Sequence, residues 1–297
     1  MITLVYGIVV ILVALLALIA VLACLALRRS PGQYFDAGGV RLFYRVEGQG
    51  TPVILVHGYG VNADLNWRLP GVVRALRGAY RVIRFDLRGH GRSDKPKSPE
   101  QYGKEAALDV IRLMDHLGIA KAHVVGYSMG GFITIHLIAR HPERLLSAVP
   151  CASGFEKAEG KNLETLRTLT ESLDRHEGYG PLLRALEPET PPAWRINLVS
   201  FLMSAINDND AMSAIMKRFT DLAITEEEMR NNRVPVLSIA GTRDPLGAGI
   251  KTMTEVMGNH EAVYIENGDH ATTLLNKAYL KHLRAFLAKH TPENHPG

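Results

Sequence analysis

The sequence predicts an α/β fold built on a mostly parallel sheet, and three features carry that prediction. Short, continuous apolar runs end at glycine-bearing loops, as strands buried on both faces do. Runs with helical spacing alternate with them, which is how parallel strands are connected. The residues that could do chemistry fall directly after the apolar runs, at the carboxyl ends of the predicted strands, where such sheets hold their ligand sites.

Seven strands are predicted in order. Residues 40–46 alternate apolar and basic side chains between Gly38-Gly39 and Gly48, as an edge strand would. Residues 52–56 end at His57-Gly58, and residues 80–85 end at Asp86. Residues 122–125 end at Gly126, residues 146–149 at Pro150, residues 234–240 at Gly241, and residues 262–265 near Gly268. Helices are predicted over residues 106–117, closed by Gly118, over Phe132 to Ala139 before Pro142, and over Tyr279 to Leu287. The alternation lapses between about Ala152 and Asn232, which reads as wholly helical. Its stripes are Leu163, Leu166, Leu169 and Leu173; Trp194, Leu198, Phe201, Leu202 and Ala205; and Met212, Ile215, Met216 and Phe219. The predicted organisation is therefore a core over 30–151 and 233–290, with a helical lid over 152–232.

The N-terminus is read separately. Leu4 to Leu27 carries no charged side chain and exceeds the ~20 residues a helix needs to cross a bilayer. Arg28-Arg29 and then Ser30-Pro31-Gly32 follow. A cleaved signal peptide would have a basic start and a shorter core. A lipobox-like Val21-Leu22-Ala23-Cys24 is followed by further apolar residues. The expectation is a transmembrane anchor over 1–29, spanning at 4–27, in a membrane-localised protein. Arg28, Arg29, Arg41 and Arg45 on its C-terminal side point to a cytoplasmic catalytic domain. Gly7 is the sole glycine of the span, so no G-x-x-x-G favours dimerisation.

Composition excludes other classes. Hydrophobic residues at 46% and charged residues at 22% describe a globular chain rather than a disordered one. A net charge of +4, without a basic run interleaved with aromatics, gives no reason to expect a nucleic-acid partner. Cys24 and Cys151 lie in unrelated contexts, so no disulfide is expected. No H-E-x-x-H, cysteine pair or phosphate-binding glycine loop is present, and neither metal nor nucleotide cofactor is expected.

The strongest motif is Gly126-Tyr127-Ser128-Met129-Gly130-Gly131, a G-x-S-x-G between an apolar strand and an apolar helix. A sharp strand-to-helix turn would expose Ser128 as a nucleophile and aim free helix N–H groups at developing negative charge. The alternative is a glycine-rich turn with an incidental serine. A serine needs a base, expected late in the chain after a carboxylate. His270, in Gly268-Asp269-His270-Ala271, follows the last strand; His260 precedes it and sits at the wrong end. Asp244, in Gly241-Thr242-Arg243-Asp244-Pro245, is the expected orienting acid, against the plainer reading of a turn aspartate before proline. Asp269 is expected to fix its loop instead. The oxyanion hole is expected from the backbone N–H groups of Met129 and Tyr59, the latter between two glycines in His57-Gly58-Tyr59-Gly60. His57 is read as a brace.

These ordered motifs, with Asp86-Leu87-Arg88-Gly89-His90-Gly91-Arg92-Ser93-Asp94, resemble the α/β-hydrolase family over roughly Val40 to Leu287. The resemblance implies an eight-stranded sheet with a helical cap, an early eighth strand near Gln33–Ala37, and a structural role for the Asp86 block. Family members that are haloalkane dehalogenases or epoxide hydrolases carry an aspartate where Ser128 stands, so the serine argues against both. The expected function is hydrolysis of a carboxylic ester through an acyl-enzyme. A small-molecule or lipid ester is favoured by the large flexible side chains of the lid, Met203, Met212, Met216, Phe201 and Phe219, although such stripes ordinarily pack lid to core. Serine-dependent C–C or thioester hydrolysis, or a silent binding protein on the same fold, are the alternatives.

Overall fold

The structure, a computed structural model, describes residues 31–155, 160–187, 189 and 191–292. Eight strands form one sheet: β1 (Gln33–Asp36), β2 (Arg41–Glu47), β3 (Thr51–Val56), β4 (Tyr80–Phe85), β5 (Ala122–Tyr127), β6 (Leu145–Cys151), β7 (Val236–Gly241) and β8 (His260–Ile265). Their order is β1-β2-β4-β3-β5-β6-β7-β8. β2 pairs antiparallel with β4, and β3 through β8 pair in parallel. The eight-stranded, mostly parallel sheet is thus the one expected, and β1 supplies the strand that the residue pattern left uncounted.

Both faces of the sheet are covered. Ile54 and Val56 of β3 enter one apolar layer, and Val53 and Leu55 enter the other. That period-two division of an unbroken apolar run is what a doubly covered strand requires. The first layer takes in α2 (Lys104–His116) and α3 (Met129–Arg140); the second takes in α1 (Val72–Leu76) and α10 (Lys277–Lys289). Hydrophobic spacing marks α2, α3 and α10 in the sequence. It misses α1, only five residues long, and α9 (Gly249–Val256).

Between β6 and β7 the described residues form α4 (Gly160–Asp174), α5 (Gly180–Leu186), α6 (Ala193–Ile206), α7 (Asn209–Lys217) and α8 (Glu226–Arg230). The apolar spacing of α4 and α7 reports burial for most of the two stripes: Leu169, Leu173, Met212, Ile215 and Met216 are buried and Leu166 and Phe219 half-buried, while Leu163 is exposed. The α6 stripe does not. Trp194 is 68% exposed and Phe201 69%, and Leu198, Leu202 and Ala205 are exposed too, while Ile196 and Ser200 face inward. Ser200 is the reason for the inward face: its Oγ accepts from Tyr179 N–H at 2.8 Å and lies where a Cβ on Gly178 would stand.

The expected single-pass membrane location is corrected. Among the described residues no helix is long and apolar enough to cross a membrane. The longest, α4 with 15 residues, is shorter than the ~20 required and carries Glu164, Arg167 and Glu171. The run over residues 4–27 lies outside the described residues. The membrane partner and the cytoplasmic orientation drawn from the flanking arginines fall with that expectation.

Candidate active site

The β5–α3 turn places Ser128 at φ 54 and ψ −119, a left-handed backbone that a residue with a Cβ adopts only under restraint. The restraint is visible on both sides. Ser128 N–H donates to Cys151 O of β6 at 2.9 Å, and its carbonyl accepts from Gly131 N–H at 2.8 Å and Phe132 N–H at 3.1 Å. The turn is also too tight for side chains at its glycines. A Cβ at Gly126 would stand 2.0 Å from Gly130 O, and one at Gly130 would stand 2.1 Å from Val56 O. The G-x-S-x-G spacing is therefore a packing requirement: strand, turn and helix pass within backbone contact.

Asp244 and His270 come together from the loops after β7 and β8. His270 Nδ1 lies 3.0 Å from both Asp244 Oδ1 and Oδ2. Asp244 is buried, and Oδ1 also accepts Leu246 N–H at 3.0 Å, so the short turn Pro245–Gly247 fixes the carboxylate. Both sequence readings of Asp244, turn residue and imidazole partner, thus hold for one side chain. Asp269 accepts from Ala271 N–H at 2.9 Å and Thr272 N–H at 2.8 Å and holds its own loop. His260 stands at the start of β8 between Thr254 Oγ1 and Ser238 Oγ.

Tyr127 ties the serine turn to the histidine loop. Its hydroxyl donates to His270 O at 2.8 Å, and its ring lies 5.6 Å from the imidazole. Among the described residues no hydrogen bond joins Ser128 Oγ to His270. Unliganded sites of this kind often close that bond only with substrate present.

The loop after β3 is held at alternate amides. Gly58 N–H donates to Asn66 Oδ1 at 2.7 Å, and Gly60 N–H donates to His90 Nε2 at 3.1 Å. Asn207 Nδ2, at the end of α6, donates to Gly60 O at 2.9 Å. Between them the Tyr59 N–H has no hydrogen-bond partner among the described residues, and neither has the Met129 N–H at the first position of α3. Tyr59, Ser128 and Met129 line one cavity.

His57 and His90 keep that loop in place as neutral imidazoles. His57 Nε2 accepts Leu87 N–H at 2.9 Å, which leaves Nδ1–H to donate to Gly58 O at 2.7 Å. His90 Nε2 is likewise an acceptor, and its Nδ1–H donates to Arg88 O at 3.1 Å. Burial pushes the pKa of His57 below its ordinary value and that of His90 well below, the neighbouring His57 adding to the latter. His57 is thus the brace the sequence suggested. Asn66, His90 and Asn207 were not singled out: a polar side chain two loops away leaves no periodic signal. The Asp86 block is structural as expected, Asp86 accepting Ala63 N–H and Arg92 N–H at 2.9 Å each.

The cavity above Ser128 has a volume of about 290 Å³. Phe132, Leu166, Leu182, Met216, Phe219 and Leu222 form much of its wall, and none of the side chains lining it is charged.

Comparison with known proteins agrees with this architecture. Residues 51–177 match the family described as α/β hydrolase fold. A 2-hydroxymuconate semialdehyde hydrolase of Pseudomonas sp. (strain CF600) is 36% identical over 161 residues, 52% of this chain and 53% of that protein. The chain thus spans about half the length of such curated relatives. A pimeloyl-[acyl-carrier protein] methyl ester esterase of Aliivibrio fischeri is 25% identical over 84% of this chain and 98% of that protein. The crystal structure of an enol-lactonase from Burkholderia xenovorans LB400 superposes with a TM-score of 0.67 at 25% identity, covering 86% of this chain and all of the other. By the eight-stranded sheet, the turn at Ser128 and these matches, the chain is similar to the α/β-hydrolase fold family, with residues 51–177 matched to it directly.

Proposed function

We propose that the protein is a serine hydrolase that cleaves carboxylic esters of uncharged, apolar acyl groups, lipid esters among them, through an acyl-enzyme. The observation that carries this reading is the strained backbone of Ser128, at one end of an apolar cavity, with a preformed Asp244–His270 pair joined to the same turn through Tyr127.

In this mechanism His270 Nε2 takes the proton of Ser128 as its oxygen attacks the ester carbonyl. Asp244, held on Nδ1, keeps the ring in the tautomer that leaves Nε2 free and stabilises the imidazolium that forms. The N–H groups of Tyr59 and Met129 receive the oxyanion; their lack of protein partners supports that role. His270 then protonates the leaving alcohol, and water, activated by the same imidazole, releases the acid. The helical insertion over 152–232 acts as a lid that supplies most of the apolar wall and keeps water from the acyl group.

Carbon–carbon bond hydrolysis is the second reading. It is favoured by the relative named for a semialdehyde and by a structural neighbour titled a meta-cleavage product hydrolase. The uncharged cavity wall favours the ester. The test of the ester reading is turnover of p-nitrophenyl acyl esters by the parent chain and by Ser128→Ala, with fluorophosphonate labelling of each. Labelling and ester turnover that vanish in the variant support the proposal. Ester turnover undiminished in Ser128→Ala refutes it, and an unlabelled parent would mark a binding protein.

A further inference from the structure

One wall of the cavity is shared. Met129, Phe219 and Leu222 line the 290 Å³ cavity and also a second, small apolar pocket of about 10 Å³. The rest of that pocket is buried: Leu87, Tyr102, Ala106, Ile133 and Ile215. Its polar groups are already spent. The Arg88 guanidinium is held by Asp109 at 2.6 Å through two nitrogens, and Tyr102 OH donates to Pro96 O at 2.6 Å. Nothing there calls for water, so the space suits hydrocarbon.

The backbone that carries the partition is fixed. Phe219–Leu222 is a short helical turn after α7, and its last carbonyl, Leu222 O, lies 3.2 Å from His136 Nδ1. The Phe219 ring packs edge-on against Phe132 at 5.3 Å. Side-chain size at 219 and 222, rather than movement of the turn, therefore decides how deep the cavity runs.

Resting on the ester-hydrolase reading above, we infer that Phe219 and Leu222 form a partition that sets the longest acyl group the site accepts. The cavity is finite, and its wall at residues 219 and 222 limits the size of acyl chain it encloses. Acyl chains up to that size gain affinity with each methylene; longer ones meet the Phe219 ring. Removing the ring joins the two apolar spaces and moves the limit outward.

The test is a series of p-nitrophenyl esters from butyrate to palmitate, run on the full chain, on Phe219→Ala and on Phe219→Leu. Active sites are counted by fluorophosphonate titration, so a partly folded variant is compared per competent molecule. In Phe219→Ala, kcat/KM for esters beyond the parental limit rises, relative to butyrate in the same variant, by about fourfold for each additional methylene admitted. Phe219→Leu, which keeps a buried apolar side chain, moves the limit by a smaller step and serves where the alanine variant does not fold. A chain-length profile identical to the parent's in both labelled variants overturns the partition and leaves the hydrolase reading intact. A parent that cleaves no ester and takes no label overturns both.

Discussion

Replacing His90 by phenylalanine tests whether the oxyanion loop is held by hydrogen bonds or by packing. The ring keeps its shape, so the edge-on contacts with Tyr59 at 5.9 Å and His57 at 5.0 Å survive. What disappears is one acceptor for Gly60 N–H and one donor to Arg88 O, both at a side chain with no solvent exposure. Leaving two buried backbone groups unpaired costs roughly 2–6 kcal/mol, at 1–3 kcal/mol each. The loop can recover part of that by turning Gly60 toward Asn207 or toward water, which swings the Tyr59 N–H away from the carbonyl it is proposed to receive. Loss of one oxyanion donor lowers kcat by about a hundredfold or more. The assay is p-nitrophenyl ester turnover with a urea denaturation curve on the same preparation. The expected result is a large fall in kcat, little change in KM and a lower urea midpoint. His90→Gln, which retains an acceptor and a donor, recovers part of the loss in kcat. A phenylalanine variant that turns over at the parental rate refutes the hydrogen-bonded brace.

Three further outcomes are expected. Asp244→Asn keeps the side-chain oxygen that caps the Leu246 turn but loses the charge that orients His270, so kcat falls by about four orders of magnitude with near-parental stability, read from initial rates and thermal melts. Gly130→Ala forces a Cβ to 2.1 Å from Val56 O, so the strand and helix must part; the variant loses fluorophosphonate labelling and melts several degrees lower, whereas Gly78→Ala, where a Cβ meets nothing within 4 Å, keeps its labelling. Buried His123, bonded to Ser147 Oγ at 2.7 Å, has its pKa pushed down from about 6.5 to about 4, by burial first and then by His290. It is neutral in the fold and protonated in the unfolded chain below pH 6.5, so stability is lost as pH falls toward 4, by about 1.4 kcal/mol per pH unit. Denaturation midpoints of the parent and His123→Gln, measured across that window, should converge as the medium becomes more acid.

The central strands were legible because burial on both faces leaves an unbroken apolar run that no other element of six residues requires. Ser128, Asp244 and His270 were legible as candidates because each lies in the turn or loop that follows such a run. What escaped notice has a common cause. Asn66, His90 and Asn207 act on backbone groups of one loop from positions remote in the chain, and nothing local marks them. The α6 stripe misled because apolar spacing reports that a face is apolar, not that it is covered; Trp194 and Phe201 lie on the outer face. The partition at Phe219 likewise depends on two pockets meeting behind one ring, which only the folded arrangement reveals.

The excursion between β6 and β7 has an evolutionary consequence. It leaves the sheet once and returns once, and it carries most of the residues that line the cavity, while the three side chains proposed to react lie outside it. Selection on a new diet can therefore rewrite that single stretch of gene without revisiting the chemistry. Exchanging it between cousins should transplant appetite and leave the engine running.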